Sequence, residues 1–186
     1  MKAFDDNGIA FDCFEALPDV GGIWNPESPH AVYGSTHLNS SEKLTRYIDL
    51  WFPEGLPYYL SCSQAEDYLR SYAREFGLYD KISFNKKVSC AKRVNGRWEI
   101  EIEGEKKPRV YDGLVVANGH HWHAKMPTDP GKFDGEILHS HDVKSKDQIK
   151  GKRVLVIGAG NSAVDILSDA ALDGERAVHS MRRSYY

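Results

Sequence analysis

No apolar run in this sequence approaches the roughly 20 residues that span a bilayer. Its N-terminus also lacks the succession of basic, apolar and small residues that marks a secretory signal. Cysteine is scarce. Cys13, Cys62 and Cys90 lie far apart with no CxxC spacing, which favours free thiols in a reducing compartment over a disulfide framework or a zinc site. Neither charge sign dominates: a net charge of -3 gives no electrostatic reason to expect nucleic acid or an anionic membrane as partner. There is no solenoid-type repeat and no low-complexity tract, and without a GxSxG turn a Ser–His–Asp hydrolase is unsupported. What remains is a chain of 186 residues, 41% hydrophobic and 27% charged, with the composition of a cytoplasmic α/β protein. Its length suffices for one domain, or for one and a piece of another.

Local patterns place the elements. Residues 1–8 read as the tail of a helix and a turn, and residues 9–15 as a strand, from their alternation and their β-branched and aromatic content. Pro18 and Gly21-Gly22 bend the chain, which then runs irregularly to about Leu60. Ser63 with Glu66 three residues later has the form of a capping box. The helix it predicts carries Ala65, Tyr68, Leu69, Tyr72, Ala73 and Phe76, and Gly77 stops it. Residues 82–94 and 98–103 flank Asn95-Gly96, a hairpin signal. The apolar run 113–117 predicts a buried strand ending at Asn118-Gly119, and residues 127–133 a loop. The last unit reads strand (153–157), turn, helix (162–171) and strand (177–181).

That last unit carries the most chemistry. In Gly158-Ala159-Gly160-Asn161-Ser162-Ala163 the first glycine permits a tight strand-to-helix turn, the second admits a pyrophosphate, and Ala163 lets helix and strand pack closely. The helix N-terminus offers unpaired N–H groups and a partial positive charge to phosphates. An NAD-type unit ends its second strand in Asp or Glu; this one ends His179-Ser180-Met181-Arg182-Arg183. Two guanidinium groups and a hydroxyl suit a 2′-phosphate, so NADPH is favoured over NADH. Glu15, at the end of the first strand, stands where such folds place a ribose-binding acid, but no glycine turn precedes it.

These features converge. Glu15 followed by Gly21-Gly22-Ile23-Trp24-Asn25 resembles the stretch after the first nucleotide fold of flavin-containing monooxygenases. Phe133-x-Gly135-x-x-x-His139 with Ser140 and Asp142 resembles that family's fingerprint, and Asn118-Gly119-His120 and Ser180-x-Arg182-Arg183 also match. The motifs occur in the family's order over essentially the whole chain. The resemblance implies an α/β fold with two Rossmann-like dinucleotide-binding regions and a small antiparallel β-meander. Residues 1–125 would be part of an FAD domain lacking its first strand, glycine turn and helix. Residues 126–150 would be a linker carrying the fingerprint, and 151–186 the start of an NADPH domain, so the chain is expected to be truncated at both ends.

The resemblance also assigns roles. Glu15, Ile23, Trp24, Leu38, Asn39, Ser40, Val88 and Gly119 would approach FAD, with Asn39 as the catalytic amide beside the reactive flavin edge. Gly158, Gly160, Asn161, Ser162, Ala163, Asp165, Ser180, Arg182 and Arg183 would hold NADPH. The implied chemistry is reduction of FAD by NADPH, capture of O2 as a C4a-hydroperoxide, and oxygen transfer to a small molecule with a soft nitrogen or sulfur nucleophile. The fingerprint departs from the family at Val143, where Tyr or Phe is usual and Trp marks the Baeyer–Villiger branch. No metal is expected, because His120-His121-Trp122-His123 and His139-Ser140-His141-Asp142 have neither a helical i, i+4 pair nor thiolates. His139 is expected to be structural. A non-catalytic nucleotide-binding remnant, a Baeyer–Villiger enzyme or a flavin disulfide reductase are the alternatives. No nucleic acid partner is expected, and a homo-oligomer is left open.

Overall fold

Strand, turn and helix form at the C-terminal end as their local sequence dictates. In the computed structural model, which describes residues 1–30, 32–128 and 131–183, eleven regular helices and strands follow one another. They are α1 (Lys2–Asp6), β1 (Cys13–Phe14), α2 (Glu42–Thr45), α3 (Cys62–Glu75), β2 (Ile82–Ser83), β3 (Val88–Val94), β4 (Arg97–Ile102), β5 (Arg109–Tyr111), β6 (Arg153–Ile157), α4 (Asn161–Asp173) and β7 (Arg176–Ser180). Strands β6 and β7 pair in parallel from Arg153↔Arg176 to Ile157↔Ser180, with α4 as the crossover. Val156 and Ile166 are buried between strand and helix together with Val143, and Val154, Ala163 and Leu167 pack around them. Burying such aliphatic side chains stabilises by about 1.5–3 kcal/mol each, so this unit carries a core of its own.

The antiparallel meander β3-β4-β5 turns at Asn95-Gly96, where both residues have positive φ (49° and 82°), the requirement of a type I′ turn. The expected first hairpin strand, 82–94, is in fact two strands in different sheets: β2 pairs in parallel with β1, and only β3 joins the meander. Asn85, at φ 55°, lies in the bend between them. Strand β5 adds an edge that the turn signals had not announced.

Three other expectations are corrected. The strand over 9–15 shrinks to Cys13–Phe14, because its one described partner, β2, offers two residues; Ile9 is exposed and Phe11 packs on the ring of Phe4 instead. The run 113–117 is not a strand, and Val115 and Val116 are exposed, since no described strand lies beside it to complete a ladder. Helix α3 is capped two residues earlier than expected. Ser61 accepts the Gln64 amide and Gln64 returns to the Ser61 amide, so the capping box is Ser61/Gln64 and not Ser63/Glu66. Glu66 instead lies buried, with its carboxylate 3.0 Å from Arg70.

The long irregular stretch before α3 packs Tyr47 and Phe52 on the ring of Tyr68 and buries Leu60, and polar contacts hold the rest. Asn25, almost fully buried, accepts the Glu27 amide at 2.9 Å and donates to the Val20 carbonyl at 3.3 Å. Asp19 accepts from Arg70 (2.7 Å) and Tyr79 (2.8 Å), tying the same stretch to α3 and the turn after it. Leu38 donates to the Leu60 carbonyl and Cys62 to that of Thr36, which fixes the loop before Asn39 on the start of α3.

Candidate dinucleotide and flavin site

The glycine turn has the geometry its sequence promises. Gly158 adopts φ 130°, which an L side chain rarely takes, and a Cβ there would sit 3.7 Å from the Ala163 Cβ. Gly160 is the N-cap of α4; its carbonyl accepts the Ala163 and Val164 amides, and no side chain caps the helix. Nothing lies within 4 Å of the position its Cβ would occupy. The N-terminal end of this 13-residue helix thus has room beside Gly160, with the positive end of the helix dipole behind it. Asn161 and Ser162 are exposed at that mouth. A phosphate fits such a cradle.

Register brings the basic residues to the same edge. Ile157 is level with Ser180, and the Gly158 amide donates to the Ser180 carbonyl at 3.0 Å. The His179 ring bonds the Gly158 carbonyl. Arg182 and Arg183, both exposed, follow directly. Asp165, in the second turn of α4, accepts the Tyr33 hydroxyl at 2.6 Å.

The flavin-side residues come from separate segments. Glu15 directly follows β1, its carboxylate oriented by the Leu17 amide at 2.9 Å. Ile23 and Trp24 form a half-buried 3-10 turn above the buried Asn25. Leu38 is half-buried, Asn39 exposes its amide, and the Ser40 hydroxyl pairs with Thr45 at 2.7 Å. Val88 opens β3 at a bulge and is exposed, and Gly119 follows the exposed run 113–117 at φ 74°.

His30 touches both histidine-rich segments, in a way that local sequence did not signal. His30 Nδ1 lies 3.0 Å from His141 Nε2, His141 Nδ1 lies 3.1 Å from Asp142, and His30 packs edge-on against Trp122 with centroids 4.1 Å apart. Burial and the neighbouring His141, Lys144 and His123 hold the His30 imidazole below its ordinary value. Among the described residues no group of three or more His, Cys, Asp or Glu side chains is arranged to hold a metal. His139 caps the turn 140–142, its Nδ1 accepting the His141 amide at 3.1 Å, a structural task as expected.

A family model described as flavin-binding monooxygenase-like matches residues 1–186. The chain belongs to this family. Flavin-containing monooxygenase 5 of Oryctolagus cuniculus is 37% identical over 199 aligned positions, which cover 98% of this chain and 37% of that relative. The chain therefore spans little more than a third of the length of the curated relative it matches. Among solved structures, S-allyl-L-cysteine S-oxygenase from Allium sativum superposes with a TM-score of 0.89 at 24% identity, over 100% of this chain and 48% of that one. OTEMO in complex with FAD and NADP matches at 25% identity with a TM-score of 0.74, covering 97% and 36%. The flavin-binding monooxygenase-like family is one of oxidoreductases, with FAD and NADPH as its cofactors.

Within this family frame Val143 acquires a place. It ends the fingerprint and is buried in the cluster with Val156 and Ile166, so the position is a core contact of the dinucleotide unit. The three cysteines are free, and burial pushes the Cys13 thiol up, the opposite of a reactive thiolate.

Proposed function

We propose that the protein carrying this chain is an NADPH-dependent flavoprotein monooxygenase that oxygenates a small molecule with a soft nitrogen or sulfur nucleophile. The balanced reaction consumes substrate, NADPH, O2 and a proton, and yields substrate oxide, NADP+ and water. The observation that carries the reading is the open cradle before Gly160, with Arg182 and Arg183 at the adjoining strand end. Helix α4 binds the pyrophosphate through its first-turn amides, and Arg182 and Arg183 hold the 2′-phosphate that separates NADPH from NADH. Glu15 takes the ribose of FAD, and Ile23 and Trp24 supply an apolar wall that keeps water from the reacting edge. FAD, when bound, supplies hydride acceptance and O2 activation. Asn39 offers a carboxamide to orient the two cofactors against each other. No described helix is long and apolar enough to cross a membrane, and a cytoplasmic location is part of this proposal.

The test is direct. The intact protein, purified and supplied with FAD, is expected to carry a bound-flavin spectrum that bleaches with NADPH in the absence of O2 and returns on aeration. NADH should bleach it far more slowly. A protein that retains no flavin and oxidises no NADPH is instead the non-catalytic nucleotide-binding alternative.

A further inference from the structure

Helix α4 carries Asp165, Asp169 and Asp173 at successive i, i+4 positions, which stacks three carboxylates on one face. Such a stripe repels itself, and it runs away from the helix end where a pyrophosphate would bind. Its partners come from outside the unit. The Tyr33 hydroxyl donates to Asp165 at 2.6 Å and the Ser35 hydroxyl to Asp169 at 2.6 Å. Lys146 lies 3.0 Å from Asp169 and 3.4 Å from Asp173. Through Asp165 this phenol reaches the N-terminal part of α4. Burial and the Asp165 carboxylate hold Tyr33 protonated, which keeps it a donor throughout the working pH range.

The other end of the same short segment is anchored elsewhere. Thr36 and Leu38 bond backbone to backbone with Cys62 and Leu60, and His37 bridges Ser61 at the start of α3. Residues 33–38 therefore hold α4 on one side and α3 on the other, and lead directly into Asn39. The geometry points to Tyr33 and Ser35 as positioning residues that fix the glycine-turn helix against the loop carrying Asn39, so that binding at the turn is felt at Asn39. This rests on the proposed reading of α4 as an NADPH helix. Two hydrogen bonds to ionised carboxylates suffice for the task, because charge-assisted pairs are about twice as strong as neutral ones.

The experiment follows hydrogen exchange of residues 34–40 in the intact protein with and without NADP+, in the wild type, in Tyr33→Phe, and in Tyr33→Phe with Asp165→Asn. In the wild type NADP+ is expected to slow exchange in this segment. In Tyr33→Phe it should bind with an affinity within about twofold of wild type yet leave the segment unprotected, and bound NADPH should reduce flavin about tenfold more slowly. Adding Asp165→Asn should cost nothing further, since the pair acts as one contact. Ser35→Ala should give a weaker form of the same phenotype and Ser35→Thr, which keeps the hydroxyl, should restore it. Wild-type protection in Tyr33→Phe, or loss of NADP+ affinity in step with flavin reduction, overturns the inference. Failure of the wild type to bind NADP+ would instead sink the functional reading on which it stands.

Discussion

The β6-α4-β7 unit and the stretch before α3 solve the same problem in different ways. The first builds order from apolar periodicity: Val143, Val156 and Ile166 meet inside it, and its strands pair over five residues. The second has a strand pair only two residues long and leans on polar groups, above all the buried Asn25 and the half-buried Asp19–Arg70–Tyr79 set. A two-residue ladder contributes little by itself. The difference teaches where each unit is vulnerable. An aliphatic core fails by cavity formation, whereas a polar scaffold fails when one partner is left without its hydrogen bond.

Breaking the first unit should give the largest effect. Ile166→Ala is expected to cost about 2–5 kcal/mol, the usual range for deleting a buried aliphatic side chain, and denaturant titration would measure it. Val88→Ala, at an exposed site, should cost less than about 0.5 kcal/mol. Breaking the second unit is expected to be milder. Asn25→Ala strands the Glu27 amide and the Val20 carbonyl at a cost of about 1–3 kcal/mol. Hydrogen exchange resolved by segment should localise the loosening to residues 16–30 and leave β6-α4-β7 protected; uniform loosening would show the two regions to be one cooperative unit.

Gly160→Ala sharpens the contrast by separating binding from folding. Nothing lies near the added methyl, so thermal stability should change little, while the methyl enters the phosphate cradle and weakens NADP+ by about tenfold. Equal binding by the variant would mean that the cradle is not used.

The smallest expected effect is the pH dependence of the contact between His30 and His141. The folded state holds His30 below its ordinary value of 6.5, so the unfolded chain binds the proton more readily there. Stability should therefore fall as pH drops through and below 6.5, and His30→Ala should flatten that slope in thermal melts collected from pH 7.5 to 5.5. The groups that set it are His141, Lys144 and His123, with Trp122 packed on the ring and Asp142 on the far side of His141.

Much of the fold was legible because its determinants are local. Gly158 and Ala163 are five residues apart, Asn95 and Gly96 adjacent, and the α3 face repeats within one helix. The capping error has the same origin in reverse: Ser61 and Ser63 both precede plausible partners, and only the helix start decides between them. Residues 113–117 misled because an apolar run records a tendency to be buried, not the presence of a neighbouring strand. The buried site of Val143 was equally out of reach, since its partners lie on β6 and α4.

The sequence by itself determined the family, the glycine turn of α4 and the basic end of β7, since each rests on residues close in the chain or on the order of motifs. Tertiary structure alone decided that Asp165 turns to Tyr33 across 132 positions, that Ser35 reaches Asp169, and that His30 meets His141. Those pairs have no spacing to betray them. They exist because the chain between them folds back, and hydrogen bonding reads distance in space and not in sequence.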